Sequence, residues 1–576
     1  MKDLFNMWKF LDQKDKNNFI LIVFLSILQG IFEMLGIAVI IPFMTMLLNP
    51  EELVNLPIIG NLFNFNGFVI TQKIIITSCI ILFLIFLLKN VLILLTNKFT
   101  YKFIFNLRTK IFCRLTDRIM HQEYLFFVTK SVSEIYNVTI NELNNFISNV
   151  VKPTIILLVE SIVFLGIVIL VIVTGYFDTL LMIFPIIIFI AYVLKKISKS
   201  IKQWSTKRMA SYENLLDLNQ NYVNGIKEIF IYGTVQKILS NFRKILDTLA
   251  SIDVKNSIVT HYPKILLEQS IILIFSIIVI FFYYMSTDTS NIIVVLSFYL
   301  AVAYRLVPSL NKIFISYQQI KYGKPSSKKI SEYYNLIKQN DYSENKNNEN
   351  NTLDFKKRIE LKIDNFKYNQ SKIIIKNIDL KVNKNEIIGF FGESGSGKST
   401  LINIIINLIK TSNGEILIDN KKINNSRLIR KYQNLFSVCS QDTFIIDGTI
   451  GDNIIFGSTK EFSQSKINNA VKFAQLENFI NELPDGIDTE IGLAIKQLSS
   501  GQKQRIAIAR TIYNDREIMI FDEATNALDE ENERVIIENI KNLKINKTII
   551  IISHNKNNLE ICDKKYLIEN KVLKLI

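Results

Sequence analysis

Apolar residues run in long stretches as far as Ser316, and only in short strand-length runs after Thr352. The long stretches cover roughly 19–47, 74–96, 154–175, 178–195, 265–284 and 291–317. A helix needs about 20 apolar residues to cross about 30 Å of hydrocarbon, so each stretch predicts one membrane span. The connections 48–72, 175–178 and 285–290 contain no Lys or Arg, whereas 1–18, 97–152 and 196–264 contain many. Such cations accumulate on the cytoplasmic side. The pattern therefore predicts six spans with both chain ends in the cytoplasm.

Two cytoplasmic connections continue the helical rhythm. Between Asn97 and Lys152 there is no Gly or Pro, and Phe103, Leu107, Ile111, Leu115 and Ile119 recur every four residues. Such spacing predicts an amphipathic helix running on out of the bilayer. From Ala191 to Tyr222 the chain again lacks Gly and Pro. Turns are expected near 121–130 and 221–233, giving two helical hairpins that reach about 25 Å or more beyond the membrane at 1.5 Å per residue. The competing reading, that these segments are independent cytoplasmic domains, lacks a core pattern of its own.

With 576 residues, two or more domains are expected. The polar stretch Gln339–Thr352 reads as a solvated linker, which divides the chain into a membrane domain over 1–337, a linker over 338–355 and a second domain over 356–576. The formal charge of +15 raises the question of nucleic acid. The excess lies in loops beside apolar spans, so no nucleic-acid partner is expected. Cys79, Cys113, Cys439 and Cys562 have neither metal nor disulfide spacing, which suits a reducing compartment. The first apolar stretch is too long for a signal-peptide core, so no cleaved signal is expected.

The second domain carries the chemistry. Ile387–Phe391 reads as a buried strand leading into Gly392-Glu393-Ser394-Gly395-Ser396-Gly397-Lys398-Ser399-Thr400, followed by the helix pattern of 401–409. This is G-x-x-x-x-G-K-[ST] in its strand–loop–helix setting, where inward-turned N–H groups cradle phosphate at a helix N-terminus. Lys398 is expected on the β- and γ-phosphates and Ser399 on Mg²⁺. A second apolar run ends in Asp522-Glu523, with Asp522 suited to Mg²⁺ and Glu523 to polarising the attacking water. His554 follows a third run, Thr548–Ile552, and is placed to meet the γ-phosphate. Each of these three taken alone also fits an ordinary polar residue at a strand end.

Leu498-Ser499-Ser500-Gly501-Gln502 completes the set, and with it the chain resembles ATP-binding-cassette exporters. The resemblance implies a six-helix transmembrane domain followed by an α/β nucleotide-binding domain, using ATP and Mg²⁺. It implies that Gln441 senses Mg²⁺, Tyr368 stacks on adenine, Ser499 to Gln502 cap the γ-phosphate from a second subunit, and Asp529 in Ala527-Leu528-Asp529 couples the two sites. One phosphate loop and one signature face different sites in that family, so a homodimer is expected. Ser500 departs from the usual Gly, and 492–497 departs from the usual acidic, glycine-rich stretch.

Charges inside spans are expensive and mark functional candidates. Lys89 lies about 24 Å along its span from Lys73, and Arg305 about 21 Å along its span from Asn291, at 1.5 Å per residue. Lys264 sits at the inner mouth of the fifth span. Together they outline a basic ring suited to an anionic substrate, unless Lys264 pairs with Glu268 and the intramembrane Glu33 and Glu160 pair with the deeper cations. The segments Glu33–Phe43, Lys89, Pro263–Glu268 and Tyr304–Lys312 resemble PglK-type flippases. That resemblance implies a polyprenyl-pyrophosphate-linked oligosaccharide as cargo and an external helix near 51–65 for the lipid tail, for which a surface loop on the headgroups is the alternative. Export of a peptide, another lipid or a drug is the competing function, and a non-transporting regulatory ATPase or channel a further one.

Overall fold

The computed structural model describes residues 11–39, 43, 72–173, 178–284, 289–336, 353–368, 373–411, 413–458, 462–491 and 498–576. The expected external helix near 51–65, most of the linker, and the unusual stretch 492–497 lie outside the described residues. The chain divides into two compact units, residues 1–122 with 127–339, and 123–126 with 340–576.

The first unit is built from six long helices: α1 (Gln13–Ala38), α2 (Gln72–Met120), α3 (Val132–Val173), α4 (Asp178–Asn224), α5 (Val235–Tyr284) and α6 (Thr289–Leu336). Each overlaps one predicted span, although most of 40–47 in the first lies outside the described residues. Short helices Tyr124–Thr129 and Ile226–Ile231 occupy the reversals between α2 and α3 and between α4 and α5. Within α3 two π-helical stretches, Asn137–Glu142 and Ile147–Val151, interrupt the α-helical geometry.

Burial follows the two solvents this unit meets. Along α2, Ile80, Ile81, Phe83 and Leu84 are exposed, as side chains facing hydrocarbon must be. Further along the same helix Phe103, Leu107, Ile111, Leu115 and Ile119 are buried, so the four-residue stripe packs inward beyond the span. Val163, Ile167 and Val171 of α3 pack with Ile37 of α1 and Val302, Leu306 and Leu310 of α6. Buried charges in the extramembrane part are paired. Arg208 of α4 meets Glu142 of α3 at 3.3 Å, and Glu134 takes hydrogen bonds from Lys329 and Tyr333 of α6, both at 2.8 Å.

The second unit contains two sheets. β1 (Arg358–Phe366), β2 (Ile375–Asn383), β4 (Asn413–Ile418) and β5 (Lys421–Lys422) form an antiparallel sheet in the order β2-β1-β4-β5. β3 (Ile387–Phe391), β6 (Phe436–Cys439), β7 (Ile518–Asp522), β8 (Thr548–Ile552), β9 (Lys564–Glu569) and β10 (Val572–Leu575) form the other, in the order β10-β9-β3-β8-β7-β6. All neighbours in it are parallel except β10 against β9. Every residue of β7 and β8 is buried, which is why both read as unbroken apolar runs.

Three helices serve the site. α7 (Lys398–Ile405) follows β3, α8 (Ser500–Asn514) precedes β7, and α9 (Glu530–Leu543) lies between β7 and β8. The N-terminus of α8 is closed by a capping box. Ser499 Oγ accepts from the Gln502 N–H, and Gln502 Oε1 accepts from the Ser499 N–H. Asp529 caps α9, with Glu530, Glu531 and Glu533 in its first turn and Lys541 in its last, the arrangement the helix dipole favours.

Candidate functional site

The phosphate loop leaves β3 at Phe391 and enters α7 at Lys398. Its turn needs left-handed backbone at Gly395 (φ 77°) and Gly397 (φ 104°), which residues with a Cβ adopt only with strain. Lys398 is buried and donates to the carbonyls of Gly392 at 2.8 Å and Glu393 at 3.0 Å, so its ammonium lies across the mouth of the loop. Burial pulls its pKa down, opposed by Glu523 and Asp522. The Ser396 hydroxyl is buried and has no hydrogen-bond partner among the described residues. Tyr368 stands edge-on to Phe366 at 5.1 Å between ring centres and hydrogen-bonds Thr400 at 3.2 Å, which ties the expected adenine platform to the phosphate loop. Glu393, Ser394 and Ser399 are exposed around the loop.

Parallel pairing of β3, β8 and β7 delivers the remaining groups to the same end of the sheet. Glu523 follows β7 directly, is buried, and has φ 51°. Its Oε1 lies 2.7 Å from His554 Nε2. Its Oε2 accepts from the side-chain amides of Gln441 at 2.9 Å and Asn526 at 2.8 Å. His554 Nε2 is also 3.3 Å from Lys398 Nζ, so base, histidine and lysine form one contiguous group. Asp522, beside them, has its pKa pushed up to about 6 by burial and then by the neighbouring Glu523 charge.

These features fit a magnesium nucleotide. Ser396 offers an unused donor, Lys398 a desolvated cation, and Asp522 with Glu523 two crowded carboxylates that a divalent cation would relieve. Among the described residues no group of three His, Cys, Asp or Glu could hold a metal alone. The residues expected to hold Mg²⁺ are Ser399, Gln441 and Asp522, together with the phosphates it arrives with.

Two residues absent from the sequence reading knit the site together. Gln504, buried in α8, donates to the Glu523 carbonyl at 2.7 Å and accepts from the Ala527 N–H at 2.9 Å. It connects the signature helix to the end of β7 and to the segment before Asp529. Asn526 holds the Glu523 carboxylate. A polar residue on an otherwise apolar face of α8 was the available signal for Gln504. Gly501 packs against the same segment; a Cβ there would stand 2.8 Å from the Ala527 carbonyl.

In the membrane half, Arg305 of α6 does not stand free. It binds Glu33 of α1 through both Nε and Nη2, the latter at 2.7 Å, and its Nη2 lies 3.6 Å from Glu160 of α3. Glu160 also accepts from Ser309 and Lys312, each at 2.6 Å. Lys264 lies 3.7 Å from Glu268, both well exposed. Lys89 packs over the Phe86 ring at 4.5 Å, within electrostatic reach of Glu33 and Arg305. Of the three cations expected to form a ring, Lys89 alone has no carboxylate within ion-pair distance among the described residues.

Comparison with known proteins gives the following. The family model described as ABC transporter transmembrane region matches residues 19–303, and the model described as ABC transporter matches 375–526. The heterocyst differentiation ATP-binding protein HepA of Nostoc sp. is 29% identical over 384 residues, 67% of this chain and 62% of that protein. A Staphylococcus aureus protein named for multidrug export, an ATP-binding/permease protein, is 38% identical over 214 residues, 37% of each chain. The chain thus spans less than two thirds of the length of these curated relatives. A solved bacterial Atm1-family ABC exporter with ATP bound shares the fold, with a TM-score of 0.77 at 19% identity, over 98% of this chain and 95% of that one.

Proposed function

We propose that this chain, which belongs to the ABC transporters as an exporter-type half-transporter, hydrolyses ATP as a homodimer to carry an anionic lipid-linked oligosaccharide from the inner to the outer leaflet. The observation that carries the ATPase part is Glu523, whose carboxylate is held by Gln441, Asn526 and His554 beside the phosphate loop. ATP with Mg²⁺ is the fuel common to ABC ATPase domains. In this reading Lys398 holds phosphate oxygens, Ser399, Gln441 and Asp522 hold Mg²⁺, and Glu523 polarises the attacking water while His554 orients it. Ser499 to Gln502 of each copy face the nucleotide of the other, so two copies are needed to close either site. Both chain ends then lie on the cytoplasmic face of the inner membrane.

The anionic cargo is supported by intramembrane Lys89 and by the Tyr304–Lys312 segment, whose likeness to PglK-type flippases opened this reading. Arg305 takes part only when cargo phosphate displaces Glu33, which makes its contribution depend on the transport cycle. The test is translocation of lipid-linked oligosaccharide in proteoliposomes. Lys89→Ala should lower flipping about tenfold with basal ATPase nearly unchanged, as expected for one desolvated charge contact of about 1.4 kcal/mol. Unchanged flipping in both Lys89→Ala and Arg305→Ala would remove the anionic cargo. Export of a hydrophobic drug without saccharide flipping would put the multidrug reading in its place.

A further inference from the structure

The first unit contains a cavity of about 390 Å³ bounded by α1, α2, α3 and α6. Its lining mixes aliphatic walls with Gln29, Thr96, Lys152, Glu160 and Lys312. The position of these residues along their helices sets its depth. Thr96 ends the second predicted span, Lys152 just precedes the third, and Lys312 lies near the end of the sixth. All three ends are cytoplasmic by the charge pattern, so the cavity sits at the inner headgroup layer with its apolar wall toward hydrocarbon.

The charges within it do not balance. Lys312 is paired with Glu160, whose carboxylate already serves Ser309 and lies near Arg305. Lys152 is half-buried, packs its ammonium toward the Tyr101 ring at 5.5 Å, and has no carboxylate within ion-pair distance among the described residues. The lining therefore carries two lysines against one carboxylate. A partly desolvated cation beside hydroxyls at headgroup depth is poorly solvated alone and is suited to a phosphate.

We propose that each protomer binds the phosphate headgroup of an anionic inner-leaflet phospholipid in this cavity, with Lys152 as the principal contact and the acyl chains leaving along the apolar wall. The volume admits a glycerophosphate group and falls short of a cargo carrying several sugars, so this lipid is distinct from the oligosaccharide proposed above as cargo. The proposal rests on the membrane reading of α1 to α6 and not on the cargo; a failed saccharide flipping assay would leave it standing.

Native mass spectrometry of the full-length protein, released from nanodiscs of equal phosphatidylglycerol and phosphatidylcholine with matched acyl chains, tests it. The wild type should retain phosphatidylglycerol selectively. Lys152→Glu should reduce that selectivity about tenfold, the equivalent of one lost charge contact, and Lys152→Arg should restore most of it. If Lys152→Glu fails to fold, Lys152→Gln gives the same comparison with the charge removed and not reversed. Equal retention of the two lipids, or selectivity unaltered in Lys152→Gln, overturns the proposal. So does displacement of the bound lipid by millimolar glycerol 3-phosphate, which would identify a site for soluble phosphates.

Discussion

Glu523 of the second unit and the intramembrane Glu33 and Glu160 of the first are held by different partners. Glu523 is surrounded by neutral amides from Gln441 and Asn526, with His554 as the nearest ionisable partner on its other oxygen. Glu33 and Glu160 each have a neutral donor too, Gln29 at 3.1 Å and Ser309 at 2.6 Å, but both are also bound by cations, Arg305 and Lys312. Amides orient a carboxylate without cancelling its charge, so it keeps the power to polarise water. A guanidinium cancels the charge and ties two helices together. The contrast separates the carboxylate proposed to react from the two that brace helices.

The sharpest way to break this distinction is Glu523→Gln, which keeps shape and removes the base. Phosphate release should fall by about 10²–10⁴-fold, with ATP binding retained. Turnover near that of the wild type would move the chemistry elsewhere. Next comes a double-mutant cycle on the brace. Glu33→Gln alone should cost about 3 kcal/mol in detergent unfolding by leaving Arg305 only its longer contact to Glu160, whereas Glu33→Gln with Arg305→Gln should recover much of it. Additive losses would show that the two side chains act separately.

The smallest effect concerns Glu134, in the extramembrane part of α3. Hydrogen bonds from Lys329, Lys130 and Tyr333 outweigh burial and bring its pKa down to about 2. A depressed carboxylate contributes stability that is present above its ordinary value of 4.5 and disappears as pH falls through about 2. The stability gap between wild type and Glu134→Gln should therefore be full at pH 7 and close on acidification through that window. A gap independent of pH would assign the effect to packing.

What was legible in the sequence is what neighbouring residues determine together. The six spans, the stripe from Phe103 to Ile119 and the phosphate loop depend on local spacing, and the fold follows from them. The sequence offers Glu33 and Glu160 as partners for the deeper cations, and the structure pairs both with Arg305; the choice of Arg305 over Lys89 is what local spacing does not set. Glu33 lies 272 positions away, and Glu160 was recognised as intramembrane without any rule for choosing its cation. Gln504 was missed because its work is done through its amide, on two backbone groups that only the packing of α8 against the end of β7 brings within reach. The π-helical turns of α3 have no simple pattern in the residues that form them.

The 49 residues of α2 contain neither glycine nor proline, and at 1.5 Å each they extend about 74 Å, more than twice the thickness of the hydrocarbon they cross. Such a rod offers no joint at which a push on its extramembrane end would be absorbed. Whatever displaces that end must tilt or rotate the whole length, so the lipid-facing half answers as a lever arm and not as a spring.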